Sequence, residues 1–246
     1  MPPAAPFPPS PTRRSGAIVL IHGAWVGEWC WEPLLAPLST RRVEAVSLTG
    51  HGARAHEGGP HVTLDHHVAD VVALVETHDL VDVTIVAHSY GGRVATPAIA
   101  RLGERVSRVI YLDAHAPLLG GLASPSAHLA EPGEGMLPPG PFPPDPAVFG
   151  DEGAAWFRAR LVPQSGATMV DVDAELPEHV RRCYVFATGE PDSPFAVYAA
   201  AARRAADWEY HELDGDHWLM ASHPEALARI ILTDTTTNET NDREPA

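Results

Sequence analysis

Between Val83 and Ala95 the chain reads Val-Thr-Ile-Val-Ala-His-Ser-Tyr-Gly-Gly-Arg-Val-Ala, and few folds accommodate that order of residues. The run rich in Val and Ile predicts a buried parallel strand. From Gly91 to Leu102, apolar residues recur at helical spacing: Val94, Ala95, Ala98, Ile99 and Leu102. Ser89 stands between the two. A serine at the apex of a strand, a sharp turn and a helix forms a nucleophile elbow, which holds the hydroxyl clear of the sheet at a strained backbone position. Residues two before and two after the serine pass very close, so they must be small, and Ala87 and Gly91 meet that demand. Gly92 lets the helix start near the strand. The usual pattern is G-x-S-x-G; Ala87 at its first position is a mild departure, because Ala has the next smallest side chain. Taken alone, the stretch also fits a serine that merely caps a helix. The surrounding chain has to decide.

A chain of 246 residues is one domain, or one domain with an insertion, and can bury a large core. Seventeen basic against 32 acidic residues give a formal net charge of −15, which disfavours nucleic acid and anionic membranes as partners. Two cysteines, Cys30 and Cys183, make no disulfide framework and suit a reducing compartment. No apolar run approaches the roughly 20 residues of a membrane helix. Prolines stand near the N-terminus where a signal peptide would carry its apolar stretch, so a cytoplasmic location is expected.

Residues 1–16 are Pro-rich and read as a disordered lead-in, and 233–246 as a polar tail. Between them lies one domain, 17–232, in which six strands are expected: Ala17–Ile21, Val43–Leu48, the elbow strand, Arg108–Leu112, Cys183–Thr188 and Trp208–Leu213. Helices are expected over Trp29–Leu38, Leu64–His78, Gly91–Leu102, Pro194–Ala206 and Pro224–Leu232. Strands alternating with helices predict an α/β fold, a mostly parallel sheet with helices on both faces. From Pro117 to about Leu176 the chain is dense in Pro and Gly, with isolated large apolar residues that include Phe142, Phe149 and Trp156. A long irregular segment in such a domain reads as a lid or binding loop. Those three side chains, together with Trp25, are the expected substrate-binding residues. Functional residues of parallel sheets gather at the carboxyl ends of the strands, where His22, Ser89, Asp113, Asp192 and His217 would all emerge.

Three motifs, in this order, resemble the α/β-hydrolase fold superfamily: His22-Gly-Ala-Trp…Glu-Trp-Cys-Trp31, Ala87-His-Ser-Tyr-Gly-Gly92 and Gly215-Asp-His-Trp-Leu-Met220. They look especially like the small branch that holds plant methylesterases and hydroxynitrile lyases. The resemblance covers about residues 17–232 and is weakest in the Pro/Gly-rich segment. It implies Ser89 as nucleophile and His217, in its Gly-Asp-His setting, as the base a serine needs at neutral pH. The chain has 14 histidines, and His217 alone has both the position and the motif. For the third member, which holds the imidazole's tautomer, two residues stay open. Asp192, in Gly189-Glu-Pro-Asp, has the placement most relatives use; Asp113 ends the fourth strand, where certain haloalkane dehalogenases carry their acid. Glu190 is a third candidate. The resemblance also implies an oxyanion hole from the backbone N–H groups of Ala24 and Tyr90.

The expected activity is a serine hydrolase acting through an acyl-enzyme on a small to medium apolar ester, methyl ester or lactone. The expected partner is a small-molecule substrate, and a homodimer stays open. No cofactor and no metal is expected, since neither H-E-x-x-H nor a phosphate-binding glycine loop is present. A lyase on the same fold is one alternative. The relevant hydroxynitrile lyases carry a threonine and a lysine where this chain has Gly23 and Trp218, which argues against cyanide chemistry. A natural-product tailoring enzyme, or a ligand-binding receptor with a slow triad, are the others.

Overall fold

The computed structural model describes residues 14–119, 135–140, 142–190 and 192–233. The expected lead-in and tail therefore lie almost wholly outside the described residues. Six strands form one parallel sheet: β1 (Ile18–Ile21), β2 (Val43–Val46), β3 (Val83–His88), β4 (Val106–Leu112), β5 (Arg181–Ala187) and β6 (Trp208–Leu213). Their order is β6-β5-β4-β3-β1-β2, and every neighbouring pair is parallel.

Among the described residues, seven α-helices accompany them: α1 (Glu32–Leu35), α2 (Leu64–Thr77), α3 (Gly91–Leu102), α4 (Pro146–Arg158), α5 (Ala196–Ala202), α6 (Leu219–Ser222) and α7 (Pro224–Leu232). The period-2 alternation of a strand sends neighbouring side chains to opposite faces. Along β1, Val19 and Ile21 join one core with α2, α3 and α5, while Ile18 and Leu20 join a second with α1, α6 and α7. Ile85 and Ile110, one in each layer, are fully buried, and cutting either to Ala costs about 2–5 kcal/mol.

This layering places a crevice. The chain leaves β1 toward α1 on one face and leaves β3 toward α3 on the other. Neighbouring strands whose connections part in this way open a cleft at their carboxyl ends. The loops that start at His22 and Ser89 border it.

Three expectations differ from the structure. Arg14–Ser15, at the end of the expected disordered lead-in, is a short strand that pairs parallel with Leu80–Val81. The helix expected over Trp29–Leu38 is a 3₁₀ turn at Glu28–Trp31 followed by the four-residue α1, because Pro33 cannot donate within a longer helix. The segment 117–176 is less irregular than its composition suggests, although 120–134 and 141 lie outside the described residues. Met136–Leu137 pairs antiparallel with Gln164–Ser165. Asp145 caps α4 by accepting from Ala147 N at 2.8 Å, and Pro146 occupies the first turn, where its missing N–H costs nothing. Gly150, at φ 68°, breaks α4 into two pieces, which is why its apolar residues show no sustained period.

Candidate active site

Ser89 sits where β3 turns into α3, with φ at 54°. A non-glycine residue there carries about 1–3 kcal/mol of strain, which the surroundings must hold in place. They do so through the backbone: Ser89 N donates to Leu112 O at 3.2 Å, and Ser89 O accepts from His115 N at 3.1 Å. The two glycines that follow are obligatory by contact. A Cβ on Gly91 would lie 2.7 Å from Ile21 O, and one on Gly92 only 1.9 Å from His115 O.

His217 follows β6 and is buried. Its Nδ1 donates to Asp113 Oδ2 at 2.6 Å. Asp113, also in the left-handed region at φ 39°, is pinned on its other side by Ala187 N, which donates to Oδ1 at 3.4 Å. Burial opposes charge on both partners, pushing the carboxyl up and the imidazole down. Much of that burial is aromatic. Phe195 stacks on the His217 ring at 5.1 Å and 3°, and Phe142 lies over it at 4.3 Å. Asp216 points elsewhere, accepting from Trp218 N at 3.1 Å and so shaping the turn.

The structure thus brings Asp113 to the imidazole and leaves Asp192 exposed on its loop. Glu190 is half-buried, and burial together with the charges of Asp216 and Asp113 raises its carboxyl. Neither Asp192 nor Glu190 bonds to His217.

Ser89 and His217 line one small cavity of about 20 Å³, together with Gly23, Ala24, Trp25, Phe142, Leu161 and Trp218 among others. Among the described residues no hydrogen bond joins Ser89 to His217, and such bonds commonly tighten only once substrate is bound. The N–H groups of Ala24 and Tyr90 find no protein acceptor among the described residues. Trp25 and Phe142 line this cavity. Phe149 and Trp156 do not: with Trp29, Cys30, Pro33 and Phe157 they line a separate apolar hollow of about 250 Å³. They reach it because α4 packs beside the turn at Glu28–Trp31, with Trp29 edge-on to Trp156 at 5.3 Å.

The remaining histidines near the strand ends hold structure. His22 Nε2 accepts from Leu48 N at 3.3 Å, and His88 Nε2 donates to His217 O at 2.9 Å. His67 bridges Tyr90 Oη at 2.8 Å and Thr49 O at 2.9 Å. No motif marks Phe195 or Gln164; only the folded chain puts Phe195 against the imidazole. Cys183, Glu209 and His211 bring ligand atoms within 4.8 Å of one another. Arg108 already holds Glu209 there at 2.7 Å, and its fixed positive charge disfavours a cation.

A parallel sheet with a strained serine between strand and helix, and a carboxylate-bound histidine beyond the last strand, defines a class. The alpha/beta hydrolase family model matches residues 18–230, and the chain belongs to that family. Among its relatives is the carbendazim hydrolyzing esterase of a Nocardioides species, 32% identical, with 87% of this chain and 97% of that protein aligned. Solved structures share the fold. An extracellular α/β-hydrolase from a Paenibacillus species superposes with a TM-score of 0.68 at 21% identity, covering 87% of this chain and 97% of the other. An Arabidopsis methylesterase does so at 0.66 and 23%, covering 88% and 97%. The chain is a carboxylic ester hydrolase. Among the described residues no helix is long and apolar enough to cross a membrane.

Proposed function

We propose that the chain hydrolyses a small to medium apolar ester, methyl esters and lactones included, through a Ser89–His217–Asp113 triad. The observation that carries this reading is the 2.6 Å bond from His217 Nδ1 to Asp113 in a cavity that Ser89 also lines. With Nδ1 donating, the Nε2 lone pair is free to take a proton. Ser89 Oγ attacks the ester carbonyl as His217 removes its proton, and the charge on the carbonyl oxygen meets the N–H groups of Ala24 and Tyr90. The tetrahedral adduct collapses to an acyl-serine, and His217 returns the proton to the leaving alcohol. Water, deprotonated by the same imidazole, then releases the acid and restores the serine.

Apolar substrates fit a wall made of Trp25, Phe142, Leu161 and Trp218. The names of the carbendazim esterase and the methylesterase favour a small alkoxy leaving group. A cavity of about 20 Å³ admits little more than one water, and Pro139, Gly140, Phe142 and Leu161 close it from the segment 117–176. The described part of that segment therefore acts as a lid that moves before substrate enters. Cyanohydrin cleavage is disfavoured at Gly23, where an added Cβ would stand 3.0 Å from both His88 Nδ1 and Ser89 Cβ. Labelling with a fluorophosphonate, peptide mapping and a panel of methyl and aryl esters test the proposal. The label should map to Ser89 and be lost in Ser89→Ala; a different labelled residue, or ester turnover that survives the substitution, overturns it.

A further inference from the structure

The loop after β1 is held from outside the sheet. Trp25 adopts φ 64°, left-handed like Ser89 and Asp113, and no glycine eases it. Among the described residues, its hydrogen bonds come from the segment between β4 and β5. Val162 N donates to Trp25 O at 2.9 Å, Trp25 N donates to Gln164 Oε1 at 3.4 Å, and Trp25 Nε1 donates to Leu137 O at 3.3 Å. Gly140 lies flat on the indole, so close that a Cβ there would come within 2.4 Å of the ring.

Gln164 is the buried hub of this arrangement. The orientation of its amide follows from its neighbours. Thr168 Oγ1 donates to Ser165 O at 2.7 Å, which leaves the Thr168 hydroxyl oxygen to accept from Gln164 Nε2 at 2.7 Å. The amide oxygen is thereby turned toward Trp25 N–H. That N–H shares a peptide plane with the Ala24 carbonyl, so holding it restrains the rotation of Ala24 about its Cα–C bond; Ala24 lines the cavity, and its own N–H finds no protein acceptor among the described residues.

We propose that Gln164 is a positioning residue: by holding the strained Trp25 peptide it presents the Ala24 N–H to the developing oxyanion. The assignment rests on the proposed role of Ala24 in ester hydrolysis. Gln164 touches no reacting atom; it acts through the backbone it restrains. A donor displaced by a fraction of an ångström loses transition-state stabilisation while leaving substrate binding nearly intact.

The test compares wild type, Gln164→Met and Thr168→Val, the last removing the group that orients the amide. Gln164→Met should lower kcat for 4-nitrophenyl acetate by about 10- to 100-fold with KM changed less than about threefold. Affinity for a trifluoromethyl ketone, which forms a tetrahedral adduct on the serine, should fall by a similar factor. Thr168→Val should show the same pattern more weakly, and it serves alone if Gln164→Met does not fold. Amide hydrogen exchange over residues 23–26 should quicken in both variants. Unchanged kcat and exchange, or a kcat loss matched by KM and melting temperature together, would overturn the proposal. If wild type hydrolyses no ester, the functional reading fails, and hydrogen exchange still decides whether Gln164 holds the loop.

Discussion

Three residues at the site, Trp25, Ser89 and Asp113, hold left-handed backbone that glycine would occupy without strain. Ser89→Gly should therefore be inactive toward esters yet melt no lower than Ser89→Ala, a comparison that differential scanning calorimetry decides. A clearly lower melting temperature for the glycine variant would mean that Ser89 is relaxed where it sits. The acid offers a second test. Asp113→Asn leaves an amide beside His217 Nδ1, favours the wrong tautomer and should lower kcat on the order of 10⁴-fold in a folded protein, as the same change does in a serine protease. Asp192→Asn alters an exposed side chain and should retain most activity. Steady-state kinetics of the two variants at neutral pH decides between them.

At the scale of elements, the segment between β4 and β5 serves two places. Phe142 lies over the imidazole, whereas Trp156 lines the outer hollow and is 40% exposed. Phe142→Ala should shift kcat/KM unequally across esters of increasing acyl length, by tenfold or so at the extremes. Trp156→Ala should leave that ratio flat. Equal effects from both would mean that substrate reaches the hollow as well.

The same contrast shows what could be read in the residues. The six strands were legible because runs such as Val83–Ala87 are apolar, β-branched and bounded by turns. Their loops were not. Asp113 and Asp192 both follow strands and both suit an acid, and choosing between them needs the path of residues 188–194, which depends on packing rather than pattern. Helix α4 escaped notice because Gly150 cuts it to less than a sustained apolar period. Phe195 carries no signal at all until the fold stacks it on His217.

At the scale of the molecule, several histidines among the described residues are buried. Burial lowers the pKa of His22, His51, His67, His88 and His115, with His67 at about 4. The unfolded chain protonates each near its ordinary value of about 6.5. Their stabilising contribution is thus complete above that pH and declines as pH falls through the interval below it, because the unfolded state there binds more protons. Each contributes a slope of about 1.4 kcal/mol per pH unit within that window. Calorimetry at pH 5.5 in buffers of different ionisation enthalpy should find an uptake of roughly three or more protons on unfolding. Release of protons instead would mean that these imidazoles are charged in the fold.

The strand order has a consequence for biosynthesis. Ser89 and Asp113 belong to the middle of the sheet, but His217 comes only after the edge strand β6, close to the end of the described chain. A ribosome-bound chain stalled before residue 208 already carries the proposed nucleophile and its loop, yet lacks both β6 and the proposed base. On the proposed mechanism, hydrolytic competence then waits for β6 to dock on β5 and bring His217 to the cavity that Ser89 lines.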